Sequence, residues 1–151
     1  VILAILAALV LPQFSNASNM ARENTLREDL RFMRMQLLVY TAQHGDVPPG
    51  YPGGNTAAEP TPEAFVSQLT RPTDKDGAVG EASDSTHRFG PYLRSMPANP
   101  INNLKTVRIV DSGDFPEEAA GSHGWIYQPD TVTIAADAPG TDSNGVAYIN
   151  Y

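Results

Sequence analysis

The chain has 151 residues and no cysteine, so it is long enough for one domain with a buried core and holds no disulfide framework, thiolate zinc site or cysteine nucleophile. Its formal charge of −7 is uneven: residues 1–44 set four arginines against three acidic residues, whereas residues 45–151 set six basic against fourteen acidic ones. Such an acidic body repels phosphate backbones, which excludes nucleic acid as a direct partner.

The first segment, VILAILAALVL, is a run of eleven apolar residues ending at Pro12. It is too short to cross a bilayer, which takes about 20. From Gln13 to His44 neither glycine nor proline occurs, and Leu26, Leu30, Met33, Leu37 and Tyr40 recur at steps of four and three. That spacing predicts a helix with one apolar stripe, extended upstream by Ala17 and Ala21. Glu23 with Arg27, and Glu28 with Arg31, stand at spacings suited to ion pairs along its flank. Gly45 fits a left-handed C-cap, and His44 a helix-end cap.

The stretch GDVPPGYPGGNTAAEPTP is dominated by proline and glycine and reads as loop. Thr61 then reads as an N-cap with Pro62 at the first helical position, opening PEAFVSQLT with Phe65 and Leu69 on one face. A second, polar loop (RPTDKDGAVGEASDSTH) reads as mobile. Beyond it LKTVRIV alternates over Leu104–Val110, and WIYQ (Trp125–Gln128) and VTIAA (Val132–Ala136) flank a Pro129-Asp130-Thr131 turn, a hairpin pattern. Val146–Tyr151 (VAYINY) is a further strand candidate. The expectation is an α+β fold: a long N-terminal helix over residues 1–44, then a head over residues 45–151 in which a short helix and a small antiparallel sheet pack on the helix stripe.

Little in the chain points to catalysis. His44, His87 and His123 are too widely spaced for a local zinc motif, Gly121-Ser122-His123-Gly124 is not a nucleophile elbow, and no glycine-rich phosphate loop precedes a helix. The expectation is a protein that is not an enzyme. Asp74-Lys75-Asp76-Gly77 lacks EF-hand spacing and reads as a solvated loop.

The opening segment, VILAILAALVLPQFSNAS, resembles the N-terminal region of type IV pilin-like proteins. Phe89-Gly90-Pro91-Tyr92-Leu93-Arg94-Ser95-Met96-Pro97-Ala98-Asn99-Pro100 resembles the GPYL passage of type II secretion major pseudopilins, with Asn99 where aspartate is usual and Ile101-Asn102-Asn103 replacing an aromatic and a glycine. His123-Gly124-Trp125-Ile126-Tyr127 and Thr141-Asp142-Ser143-Asn144-Gly145 are similar to C-terminal parts of pilin-like proteins. The resemblance implies about ten further residues upstream, which would bring the apolar run to spanning length. It also implies an inner-membrane subunit that is drawn by secretion or pilus assembly machinery into a helical homo-oligomeric filament, periplasmic or extracellular once assembled. Val1, Ile2, Leu3, Ile5, Leu6, Leu9, Val10, Leu11, Pro12 and Phe14 would then form the membrane segment and filament core, with Pro12 as a helix-kinking proline. The family's calcium site maps here onto Asp137, Asp142, Ser143 and Asn144. The alternative expectation is a membrane-anchored periplasmic binding domain.

Overall fold

The computed structural model describes residues 2–151, with side chains described at Gln13 and from Asn16 onward. The expected filament-core residues Val1–Pro12 and Phe14, including the proposed kink at Pro12, therefore lie outside the described side chains. Helix α1 runs from Ile2 to Gln43, α2 from Pro62 to Thr70, and three short strands follow: β1 (Val107–Ile109), β2 (Trp125–Gln128) and β3 (Thr133–Ala136). At about 1.5 Å per residue α1 extends to roughly 63 Å.

The inner stripe of α1 behaves as its spacing predicts. Leu26, Leu30, Met33, Leu37 and Tyr40 are fully buried and share one core with Phe65 and Leu69 of α2 and with Val107, Trp125, Tyr127, Ile134 and Ala136 of the sheet. Helix α1 ends as expected, with Gly45 at φ +63° and His44 capping its own helix end: Nδ1–H donates to the Tyr40 carbonyl at 2.8 Å, and Nε2 lies 2.9 Å from Thr73 Oγ1. The Thr61 hydroxyl accepts the Ala64 N–H at 3.1 Å, capping α2 as the Thr-Pro signal predicts.

The sheet differs from the expected antiparallel one. It is mixed, in the order β1-β2-β3, with β1 parallel to β2 and β2 antiparallel to β3. Parallel pairing needs a long crossover, and the connection from Val110 to Gly124 supplies it. That connection also covers the outer face of the sheet: Phe115 and Ala119 pack, together with Ile149, on Ile126 and Ala135. Both faces of β2 are consequently buried, which explains its unbroken WIYQ pattern. The first strand is shorter than Leu104–Val110, because Asn99 and Asn102 fold residues 99–104 into a turn. Val132 leaves the third strand to take φ +51° in the hairpin turn. The tail is not a strand beyond a single Thr141–Ala147 bridge; Tyr148–Asn150 form a 3₁₀ turn that places Ile149 on the sheet.

The loop after α2 is more constrained than its polar composition predicts. Thr73 is fully buried and bridges both Val79 and Phe89. Gln68, buried in α2, donates its amide to the carbonyls of Tyr51 and Gly77 and accepts the Gly50 N–H, tying this loop to the proline-rich one. Gly77 closes against Tyr40: a Cβ there would lie 2.8 Å from the Tyr40 hydroxyl, and φ is +91°.

Candidate functional site

Two regions carry residues that the core does not use in the ordinary way. The first is the outward face of α1. Phe32, Met35 and Leu38 are 52%, 53% and 64% exposed, and Val39 and Met20 are exposed with them. At 100° per residue these side chains fall on the side opposite the buried stripe, so the helix is apolar on two faces. The expected flank pairs do not form. Arg27 turns away from Glu23 to reach Asp142 at 2.7 Å, Glu23 is itself buried, and neither Glu28 nor Arg31 makes an ion pair among the described residues. Local spacing favours such pairs by only about 0.2–0.5 kcal/mol, too little to compete with a buried carboxylate. The outward face thus presents Phe32, Met35, Leu38 and Val39 beside Glu28 and Arg31, which make no ion pair among the described residues.

The second region is the C-terminal loop cluster. Asp142 is buried and accepts four hydrogen bonds: Asn144 N–H (2.8 Å) and Val146 N–H (2.9 Å) on Oδ1, Arg27 Nη2 (2.7 Å) and the Tyr151 hydroxyl (2.9 Å) on Oδ2. The Val146 N–H lowers its pKa most; burial opposes this, and Tyr151, Asn144 and Arg27 reinforce it, so the carboxyl lies below its ordinary value. Asp137, fully buried, serves a different loop. It accepts the N–H groups of Ala120 and Gly121 on Oδ1, and that of His123 with the Ser122 hydroxyl on Oδ2. Burial alone would raise its pKa, but the N–H groups of Gly121, His123 and Ala120 and the Ser122 hydroxyl outweigh it and lower it.

These contacts decide the calcium question on the chemistry of the donor set. A carboxylate offers about four acceptor positions, and on both aspartates all four are taken by protein donors. Ser143 and Asn144 lie exposed on the turn, and Asn144 contributes its backbone N–H, a donor where a hard cation needs an oxygen. Among the described residues no three acidic or histidine side chains gather into a metal cluster. The residues do not fit a calcium ion.

Ser122, His123 and Asp137 do come together, which chain spacing did not reveal. Ser122 Oγ lies 2.9 Å from His123 Nδ1, and the same Nδ1 lies 3.8 Å from Asp137 Oδ2. A proton relay needs the serine and the acid on opposite ring nitrogens; here both face one, and the Asp137 carboxylate is spent on backbone donors.

Asn99 is fully buried, donating its amide to the Gly124 carbonyl at 2.8 Å while its carbonyl accepts the Ile101 N–H. Asn102 donates to the carbonyls of His123 and Asp137. The aspartate usual at position 99 in the resembling family could accept but not donate, so the asparagine suits this closure. An open groove of about 750 Å³ lies between α2 and β1, with Val66, Met96 and Val107 on its floor and Lys105 and His123 at its rim.

Among the described residues no helix is long and apolar enough to cross a membrane. Compared with known proteins, the chain matches no family model, no curated protein and no solved structure.

Proposed function

We propose that this chain is the structural subunit of a helical, pilin-like filament that polymerises through α1, within a type II secretion pseudopilus or a related extracellular pilus. The observation that carries the reading is the outward face of α1. Phe32, Met35, Leu38 and Val39 stay in water in the single chain, on the same helix whose sequence opens with the apolar run. Burying such surface between subunits is worth about 25 cal/mol per Å². Glu28 and Arg31, opposite in sign and without an ion pair among the described residues, suit a second copy of the same helix. Contact between unlike patches that does not close into a ring extends into a filament, with the acidic heads outside. Before assembly the subunit sits in the inner membrane, held by the apolar segment and handed on by the assembly machinery.

Electron microscopy of material sheared from cells making the full-length protein tests this. Filaments built from the chain are expected, and they should disappear in a Met35→Asp/Leu38→Asp variant whose head stays folded. A membrane-bound monomer with no filament, even on overproduction, would sink the reading. It would promote an anchored periplasmic binding domain, which the groove between α2 and β1 favours.

A further inference from the structure

The resemblance to major pseudopilins places a calcium ion among the loops that hold Asp137 and Asp142, and the donor set there does not accept one. We propose that Arg27, Asp142 and Tyr151 form a metal-free latch that pins the segment Thr141–Tyr151 to the stem helix, with the guanidinium of Arg27 doing the work of the cation. The Asp142 side chain is 1% exposed, so an ion has neither a free lone pair nor an approach to it. The guanidinium sits in the position of charge: its Nη2 donates to Asp142 at 2.7 Å and to the Tyr151 phenol oxygen at 2.6 Å, and its central carbon lies 4.1 Å from the Tyr151 ring centroid. The phenol O–H in turn donates a hydrogen bond to Asp142 Oδ2 at 2.9 Å.

A second arginine completes the grip. Arg34 stands two helical turns beyond Arg27 on the same side of α1 and donates to the carbonyl oxygens of Tyr151 and Ile134. The two arginines thereby hold Tyr151 by its hydroxyl and by its main chain, and one of them also holds β3. Tyr148 packs edge-on against the Tyr151 ring at 5.6 Å, and Ile149 between them covers the outer face of the sheet. Releasing the latch would uncover Ile126 and Ala135. The head therefore reaches and keeps its fold without a divalent cation, whatever assembly it enters.

The test is thermal unfolding of the full chain in detergent, followed by the fluorescence of Trp125, the single tryptophan. Wild-type Tm should be the same in millimolar calcium chloride and in EDTA. Arg27→Ala and Asp142→Asn should each lower it by roughly 2–4 °C, Arg27→Lys should recover part of the loss, and the Arg27→Ala/Asp142→Asn double variant should be no worse than the worse single one. A wild-type Tm that rises on adding calcium and falls with EDTA would overturn the latch, as would single-variant losses that add. If Arg27→Ala does not fold, the wild-type calcium comparison and Arg27→Lys still decide. Neither readout depends on filament formation, so failure here is distinct from failure of the assembly reading.

Discussion

The two faces of α1 are made of the same kinds of side chain and sit in opposite surroundings. Leu26, Leu30, Met33, Leu37 and Tyr40 are sealed against the sheet and α2, while Phe32, Met35, Leu38 and Val39 face solvent within one or two residues of them. Hydrophobicity alone does not say what a residue is for; the side of the helix does. The inner face folds the head, and the outer face, on the reading proposed above, assembles it.

Substitutions on the inner face should cost the most stability. Leu37→Ala removes a fully buried side chain and should destabilise the head by about 2–5 kcal/mol, seen as a lowered urea midpoint. Asn99→Asp should follow at roughly 1–3 kcal/mol, since it replaces a buried donor to the Gly124 carbonyl, which then keeps only the Asp137 N–H, by a buried acceptor facing that oxygen. Thr61→Ala, which strips the cap of α2, should cost about 1 kcal/mol. Leu38→Ser, one residue from Leu37 but on the outer face, should move stability by no more than about 0.5 kcal/mol. If Leu38→Ser destabilised the detergent-dispersed monomer as much as Leu37→Ala, the distinction between the faces would fail.

Acid and alkali probe the C-terminal loop cluster, one loop of which is tied to α1 through Arg27. Asp137 and Asp142 have lowered pKa values in the fold, so the stability they contribute is complete above the unfolded aspartate value of about 3.9 and is lost as pH falls through their lower native values. Tyr151 goes the other way. Burial first, and then the Asp142 carboxylate, push its phenol up to about 12, so its contribution is complete below the unfolded tyrosine value of about 10 and is lost as pH rises through about 12. Unfolding midpoints across pH should show both edges, and Tyr151→Phe should shrink the alkaline one without abolishing it, because burial also raises the phenols of Tyr40, Tyr92 and Tyr127.

Local signals made some of this legible in advance. A five-residue stripe, a Thr-Pro cap and an alternating or continuous apolar run each report on neighbours a few residues away, and the stripe on α1, the cap of α2 and strand β2 lie where they predict. The direction of β1 was not legible, because it depends on where the Val110–Gly124 crossover lies, and alternation is the same for parallel and antiparallel strands. The partner of Arg27 lies 115 residues away in sequence, so helical spacing offered only Glu23, the wrong one. Gln68 did leave a trace: a polar residue beside Leu69 on the face of a short helix that also carries Phe65 is a candidate buried hydrogen-bond hub, and it orders two loops whose composition reads as unstructured. The outer stripe of α1 was also present in the sequence, masked by the stronger inner one.

Because the chain contains no cysteine, a single Leu38→Cys substitution gives a clean reporter of the outer face. The decisive measurement is the rate of maleimide labelling at that position in assembled material compared with detergent-dispersed monomer. The account predicts rapid labelling in the monomer and strong protection in the assembly, with a cysteine at exposed Asp114 labelling equally in both. Equal labelling of Leu38→Cys in the two states would contradict it.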